Sequence, residues 1–338
     1  MMEPVPMPVG HGEKPSSLIY SPVRKSLLTF YDKPLYHLGP KGDYLLYKKS
    51  GIELDPERIH QGRTPPLFAR ADERVEAIPE MQKQFVKFIN TKTSEGKDVV
   101  EVKTIISDWV GETIEEMGKG EVALMKTLPG IIDVLLQKYG ANFLAFAKEI
   151  PNYDYSTAVH SVNTMAYVVN YFVRQNGMTT DDQRLKTCAL AALLHDVGKQ
   201  KIDQAIIFKP AKLTDEEWKI MKTHPREGYN ILKSLQVKDN SITGEVLDAA
   251  LHHHEKADGS GYPDGLKGEQ ITELTEVVAL ADVFDALTCD ERAYRAKMTA
   301  SQVFEKVLLP DTKIGKYHTK RYNNFVNSLG FKPANLTM

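Results

Sequence analysis

Six of the ten histidines in this chain fall between residues 160 and 254: His160, His195, His224, His252, His253 and His254. Carboxylates stand among them. Asp196 follows His195, Glu255 follows His254, and Asp282 sits inside the apolar run 279–284. Neutral imidazoles mixed with carboxylates are the donor set of a hydrolytic transition-metal site. An Asp amid apolar residues carries a large desolvation cost unless it meets a cation. No cysteine joins the set, which argues against a structural zinc.

The donors are numerous enough for two adjacent ions. One takes His160, His195, Asp196 and Asp282. The second takes His224, His253 and His254, with Asp196 bridging through its other oxygen. Two ions about 3.5–4 Å apart would hold a shared hydroxide as nucleophile and clamp a phosphoryl oxygen. Mixed N and O donors suit Fe, Mn, Ni, Co or Zn. Glu255 reads as the orienter of a histidine rather than a ligand. His252 is the weak member of its trio and is expected to face solvent. Singly, each residue has a plainer reading: Asp282 on the wet face of a helix, His160 as a satisfied core histidine. The set as a whole argues against those readings.

Helices must bring these residues together. The ligands follow one another at steps of about thirty residues, enough for a helix, a loop and a return into the core of a bundle. His160 lies at the start of an amphipathic segment. Asp181 and Asp182 open a helix that ends at Leu194, just before His195. Thr214 to Glu217 is a capping box, and its helix is expected to run to His224. Glu245 to His253 and Thr275 to Thr288 read as two further helices. Upstream, Val99, Val102, Ile105, Ile106, Trp109 and Val110 recur at helical spacing, and the signal returns from Val122 to Leu136. Such a stripe serves as core or as a dimer seam; it is read as core, and a homodimer stays open.

The first third is different. Ser26–Tyr31 and Tyr44–Lys48 are β-prone runs separated by Gly-Pro and Lys-Gly turn chemistry, and Leu67-Phe68-Ala69 is another. They predict a small α/β or α+β module over residues 18–118, with a boundary at Gly118 and Gly120. A helical domain covers 119–338, and a disordered tail is expected over 1–17. His11, His37 and His60 stand alone and read as surface or structural histidines.

Formal net charge is −2, which argues against bulk electrostatic binding to a nucleic-acid polymer or an anionic membrane. No run of about 18 apolar residues predicts a membrane span. Cys188 and Cys289 form no CxxC pattern, so a reducing cytoplasm is the expected setting.

The order His160, His195-Asp196-Val197-Gly198-Lys199, His224-Pro225, His253-His254-Glu255, Gly261-Tyr262-Pro263 and Ala281-Asp282-Val283-Phe284-Asp285-Ala286-Leu287-Thr288 resembles the HD-GYP family, a branch of the HD metal-dependent phosphohydrolases. The resemblance covers roughly residues 150–300. It implies a mainly α fold, an all-helical catalytic domain preceded by the small α/β module, here sensory or regulatory. It implies a phosphodiesterase that hydrolyses cyclic di-GMP to linear pGpG or GMP, with two divalent metals, iron first and manganese next. Lys199 matches the family lysine and would hold a phosphate oxygen. Gly261, Tyr262 and Pro263 would form a substrate-facing loop, with Tyr262 stacking on or hydrogen-bonding guanine, or else a docking surface for protein partners. Arg292 and Arg295 resemble phosphate-binding arginines. The chain departs from the pattern at Ser156, where three-metal members carry a Glu. It departs again at Asp290–Arg295, one residue longer than the family's Asp-Arg-Pro-Tyr-Arg and without its Pro. Two readings remain beside the leading one: a phosphodiesterase for a mixed cyclic GMP–AMP, and a catalytically silent cyclic di-GMP sensor.

Overall fold

A computed structural model describes residues 20–92, 99–140, 143–148, 156–288 and 296–333. The chain divides into two compact units, Met1–Gly96 and Lys97–Met338. The tail expected over 1–17 lies outside the described residues, as do Cys289, Arg292 and Arg295.

The first unit is an antiparallel sheet with a long helix. Strands β1 (Tyr20–Pro22), β2 (Leu35–Leu38), β3 (Tyr44–Lys48) and β4 (Leu67–Arg70) lie in the order β1-β4-β2-β3. This is an α+β arrangement. The β2–β3 hairpin closes through the predicted glycines: Gly39 N–H donates to Asp43 (2.7 Å), and Gly42 takes a φ of 79°. The β-prone run Ser26–Tyr31 is instead a 3-10 turn, Lys25–Phe30, that buries Leu27, Leu28 and Phe30 together. Two adjacent leucines cannot both face one side of a strand, whereas a tight helical turn can bury both. Helix α1 (Ala71–Lys92) buries Ala77, Ile78, Met81, Phe85 and Ile89, and the Phe85 ring meets Phe30 edge-on at 5.6 Å. His37 lies in β2 beside the Tyr47 ring.

The second unit is helical. Helix α2 (Val99–Gly118) buries Val102, Ile105, Ile106, Trp109 and Val110, so the stripe is core. The boundary expected at Gly118 therefore falls too late. Gly118 ends a helix that belongs to the second unit. Helix α3 (Leu128–Tyr139) completes the leading segment. At the centre stands α4 (Thr157–Asn176), capped by Ser156, whose Oγ accepts from Val159 N–H. Residues 158–172 of α4 are all buried, the mark of a helix enclosed on every side. It packs on α2, α5 (Gln183–Leu194), α9 (Glu273–Thr288) and α10 (Thr319–Ser328).

Between these come α6 (Asp215–Met221), α7 (His224–Leu235) and α8 (Gly244–His252). The capping box at Thr214 and Glu217 forms as expected. Its helix stops at Met221, however, and His224 opens α7 rather than closing α6. Pro225 is the reason: in a first helical turn its missing N–H costs nothing. Among the described residues no helix is long and apolar enough to cross a membrane.

Candidate metal centre

Each ligand sits at a helix end or on a buried helix face. His195 caps the C-terminus of α5 and Asp196 follows it. His224 begins α7, and His253 caps α8. His160 lies in the first turn of α4, and Asp282 lies in the middle of α9. A single glycine sets the approach of the two central segments. A Cβ on Gly198 would lie 1.9 Å from the His224 carbonyl oxygen and 2.4 Å from Gly228 N, so only glycine fits.

The predicted ligands converge. Donor atoms of His160, His195 and Asp282 form one group within 4.8 Å, and those of His224, His253 and His254 form a second. Asp196 lies between them. Its Oδ2 is 3.4 Å from His195 Nε2 and 3.7 Å from His160 Nε2, while its Oδ1 is 3.3 Å from His224 Nε2 and 3.7 Å from His253 Nε2. This is the division of oxygens expected of a bridging carboxylate.

Protons tell which atoms await a cation. His195 Nδ1 donates to the Ala192 carbonyl (2.8 Å) and His224 Nδ1 to that of Met221 (2.7 Å). His253 Nδ1 donates to Ala249 and Ala250, each at 3.1 Å. With Nδ1 protonated, each neutral ring leaves a lone pair on Nε2. Those of His224 and His253 face each other at 3.2 Å. His195 Nε2, fully buried, makes no hydrogen bond. Lone pairs turned on one another and on a carboxylate repel unless a cation lies among them, so the residues fit a pair of divalent ions.

Electrostatics agree. Burial opposes ionisation of Asp196, but the Lys199 ammonium beside it holds its carboxyl well below the usual carboxylate range. Burial likewise opposes ionisation of Asp282, and His160 holds it well below that range. Burial and the neighbouring histidines keep His253 neutral. His254, at the partly exposed edge, is lowered to about 3 by its enclosure and then by His224. His160 is the exception. Burial would lower it, yet its hydrogen bonds to Asp282 (2.9 Å) and Asp285 (2.8 Å) push it up to about 9. A cation shared by His160 and Asp282 would satisfy the same two atoms as the Nε2 proton.

Around the ligands, Lys199 pairs with Asp196 Oδ2 and remains partly exposed. Tyr262 stacks on the His254 ring (centroids 4.9 Å, interplanar 26°), which puts the Gly-Tyr-Pro loop at the mouth of the centre. Gly261 permits a close approach within the chain itself. A Cβ there would meet the chain's own backbone, 2.4 Å from Glu255 Cα. The expected role of Glu255 also changes. Its buried carboxylate accepts from Asp264 N–H (2.6 Å), Gly265 N–H (3.0 Å) and Leu266 N–H (3.1 Å), so it tethers this loop and touches no imidazole through its side chain. His252 stays out of the ligand groups, but it is held rather than free: Asp248 (2.7 Å) and Asp264 (3.1 Å) take its two nitrogens.

Asp285 was not assigned from sequence. Its signal was there: it follows Asp282 by one helical turn, on the same face of an apolar helix. The carbonyls of Ala192, Met221 and Ala249 left no side-chain signal.

Residues 148–309 match the family model described as the HD domain. Just under half of the chain is thus similar to an HD domain. Relatives of the chain include a cyclic di-GMP phosphodiesterase of Pseudomonas aeruginosa, 34% identical over 54% of this chain and 41% of that one. The cyclic di-GMP phosphodiesterase response regulator RpfG of Xanthomonas campestris is 43% identical over 40% of this chain and 34% of its own. A 3'3'-cGAMP-specific phosphodiesterase of Vibrio cholerae is 38% identical over 46% of this chain and 32% of its own. The chain thus spans less than half the length of these relatives. The fold is similar to that of a solved structure, Bd1817, an HDG"Y"P protein from Bdellovibrio bacteriovorus. The TM-score is 0.63 at 20% identity, over 92% of this chain and all of that one.

Proposed function

We propose that this protein is a binuclear metal-dependent phosphodiesterase that hydrolyses a cyclic dinucleotide, cyclic di-GMP first, to linear pGpG or GMP. The observation that carries this reading is the convergence of His195, His224 and His253 lone pairs on the two oxygens of Asp196. A site that were only structural would place protons between such atoms. His160, His195, Asp196 and Asp282 would hold one ion; His224, His253, His254 and Asp196 the other. Iron or manganese, when bound, supplies activation of water and neutralises charge developing at phosphorus.

The chain's own groups do the rest. Asp285 and the backbone carbonyls of Ala192, Met221, Ala249 and Ala250 fix the imidazole tautomers and aim their lone pairs. Lys199, partly exposed beside Asp196, offers a cation to a phosphoryl oxygen. Tyr262 makes no hydrogen bond through its hydroxyl among the described residues. Burial, then Asp282 and Asp196, push its phenol up, so it remains a hydrogen-bond donor for a base or phosphate. Arg292 and Arg295 are assigned phosphate contacts on sequence pattern. The α+β unit is assigned a regulatory role, and the protein a cytoplasmic setting.

The test is turnover of cyclic di-GMP by protein loaded anaerobically with Fe(II) or Mn(II), with products resolved by chromatography. Linear dinucleotide or GMP is expected. A mixed cyclic GMP–AMP is the second substrate to try, because one relative is named for 3'3'-cGAMP. Protein carrying two metals that binds cyclic di-GMP tightly without product would overturn the enzymatic reading in favour of a sensor.

A further inference from the structure

Helix α6 and the residue after it form a feature the centre does not use. Trp218 is 45% exposed, and the exposed Lys222 follows it by one turn on the same face. Lys222 Nζ lies 5.8 Å from the Trp218 ring centroid and 5.2 Å from that of Tyr262. Tyr262 in turn stacks on His254. An unbroken line of rings and one ammonium thus runs from His254, at the partly exposed edge of the centre, to the surface. It is also anchored at its inner end, because the Met221 carbonyl between Trp218 and Lys222 accepts from His224 Nδ1.

Three neighbouring cations are already matched. Lys199 pairs with Asp196, Arg226 with Asp264, and Lys209 with Glu217. Lys222 makes no ion pair among the described residues; its partners are two π faces. What sets this pair apart is its place: an indole and an ammonium side by side, in line with Tyr262 at the mouth of the centre, offer one ligand a face to stack on and a charge to pair with. A nucleotide supplies both: a purine face that stacks on an indole and a phosphate that pairs with an ammonium.

We propose that Trp218 and Lys222 form a subsite for the non-reacting half of the dinucleotide. The indole stacks on its base and the ammonium pairs with its phosphate. The inference rests on the phosphodiesterase reading for its substrate class, and it assigns specificity to residues outside the metal ligands. Binding energy realised this far from the reacting phosphorus favours dinucleotides over simple phosphodiesters.

Two readouts test it on the full chain loaded anaerobically with Mn(II). The first is kinetic. Trp218→Ala should raise the KM for cyclic di-GMP about tenfold relative to that for bis(p-nitrophenyl) phosphate, which has no purine. Trp218→Phe should restore most of the difference, and Lys222→Gln should raise the same ratio by less. A ratio unchanged by Trp218→Ala would overturn the proposal, as would a loss confined to kcat. The second readout needs no turnover. Trp109 is fully buried and Trp218 exposed, so cyclic di-GMP should quench tryptophan emission saturably, and the quench should vanish in Trp218→Phe. Quenching without any hydrolysis would keep the subsite and sink the enzyme. Hydrolysis without quenching would sink the subsite and keep the enzyme.

Discussion

Two buried polar clusters, one in each unit, are satisfied in opposite ways. In the α+β unit, Lys48 is almost wholly buried, yet its ammonium donates to the Tyr31 carbonyl (2.7 Å) and the Lys33 carbonyl (3.1 Å). Burial lowers its pKa, but every contact is between a donor and acceptors. In the helical unit, His195, His224, His253 and Asp196 are buried as deeply, and acceptors face acceptors. Both arrangements carry a desolvation cost. Only the first is offset from within the chain. Burial by itself does not mark a site; burial with matching polarity unresolved does.

The strongest way to break this contrast is Asp196→Ala. Turnover should fall by more than about a thousandfold, and elemental analysis should find one bound ion or fewer per chain. Full activity would remove the bridging assignment. Metal loading comes next. Addition of Mn(II) at about 100 times its Kd should stabilise the helical unit by about 2.7 kcal/mol, read by thermal unfolding with and without a chelator. A chain indifferent to metal would place the helical unit beside Lys48 as merely structural. Asp285→Ala should weaken metal affinity or activity about 10–100-fold by freeing the His160 ring, measured by competition with a chelating dye; an unchanged affinity would confine Asp285 to packing. The smallest effect sharpens the other side. Lys48→Met leaves two carbonyls without a donor and should destabilise the α+β unit by about 1–3 kcal/mol in urea. Metal content should not change, and a change in it would undo the separation drawn here.

The sequence made the convergence of the candidate ligands legible because their chemistry is unusual where it stands. Asp282 in an apolar run and Asp196 after His195 announce a desolvation problem that needs a cation. Strand β3, the run that became β4, the capping box at Thr214 and the stripe of α2 were equally readable from local periodicity. What escaped were features with no local signature. Helix α1 contains Pro79, which interrupts its apolar pattern although the ring sits on the exposed face. Lys25–Phe30 is too short for strand and 3-10 spacing to be told apart. The end of α6 depended on how Pro225 is used. Glu255 looked like a histidine partner because it follows His254, but the turn after α8 sends its side chain to the backbone of 264–266. Trp218 stands in a short polar helix, with no local signal that places it and Lys222 beside Tyr262.

The contact at Gly198 has a wider consequence. With no room for a methyl group between residue 198 and the backbone of 224 and 228, the spacing of the two central ligand segments is gauged by main chain against main chain. Side chains can drift around that gauge without stretching it. A lineage is therefore free to rewrite the rim at Trp218, Lys222 and Tyr262, and with it whatever ligand preference the proposed subsite sets, while the ruler beneath keeps its length.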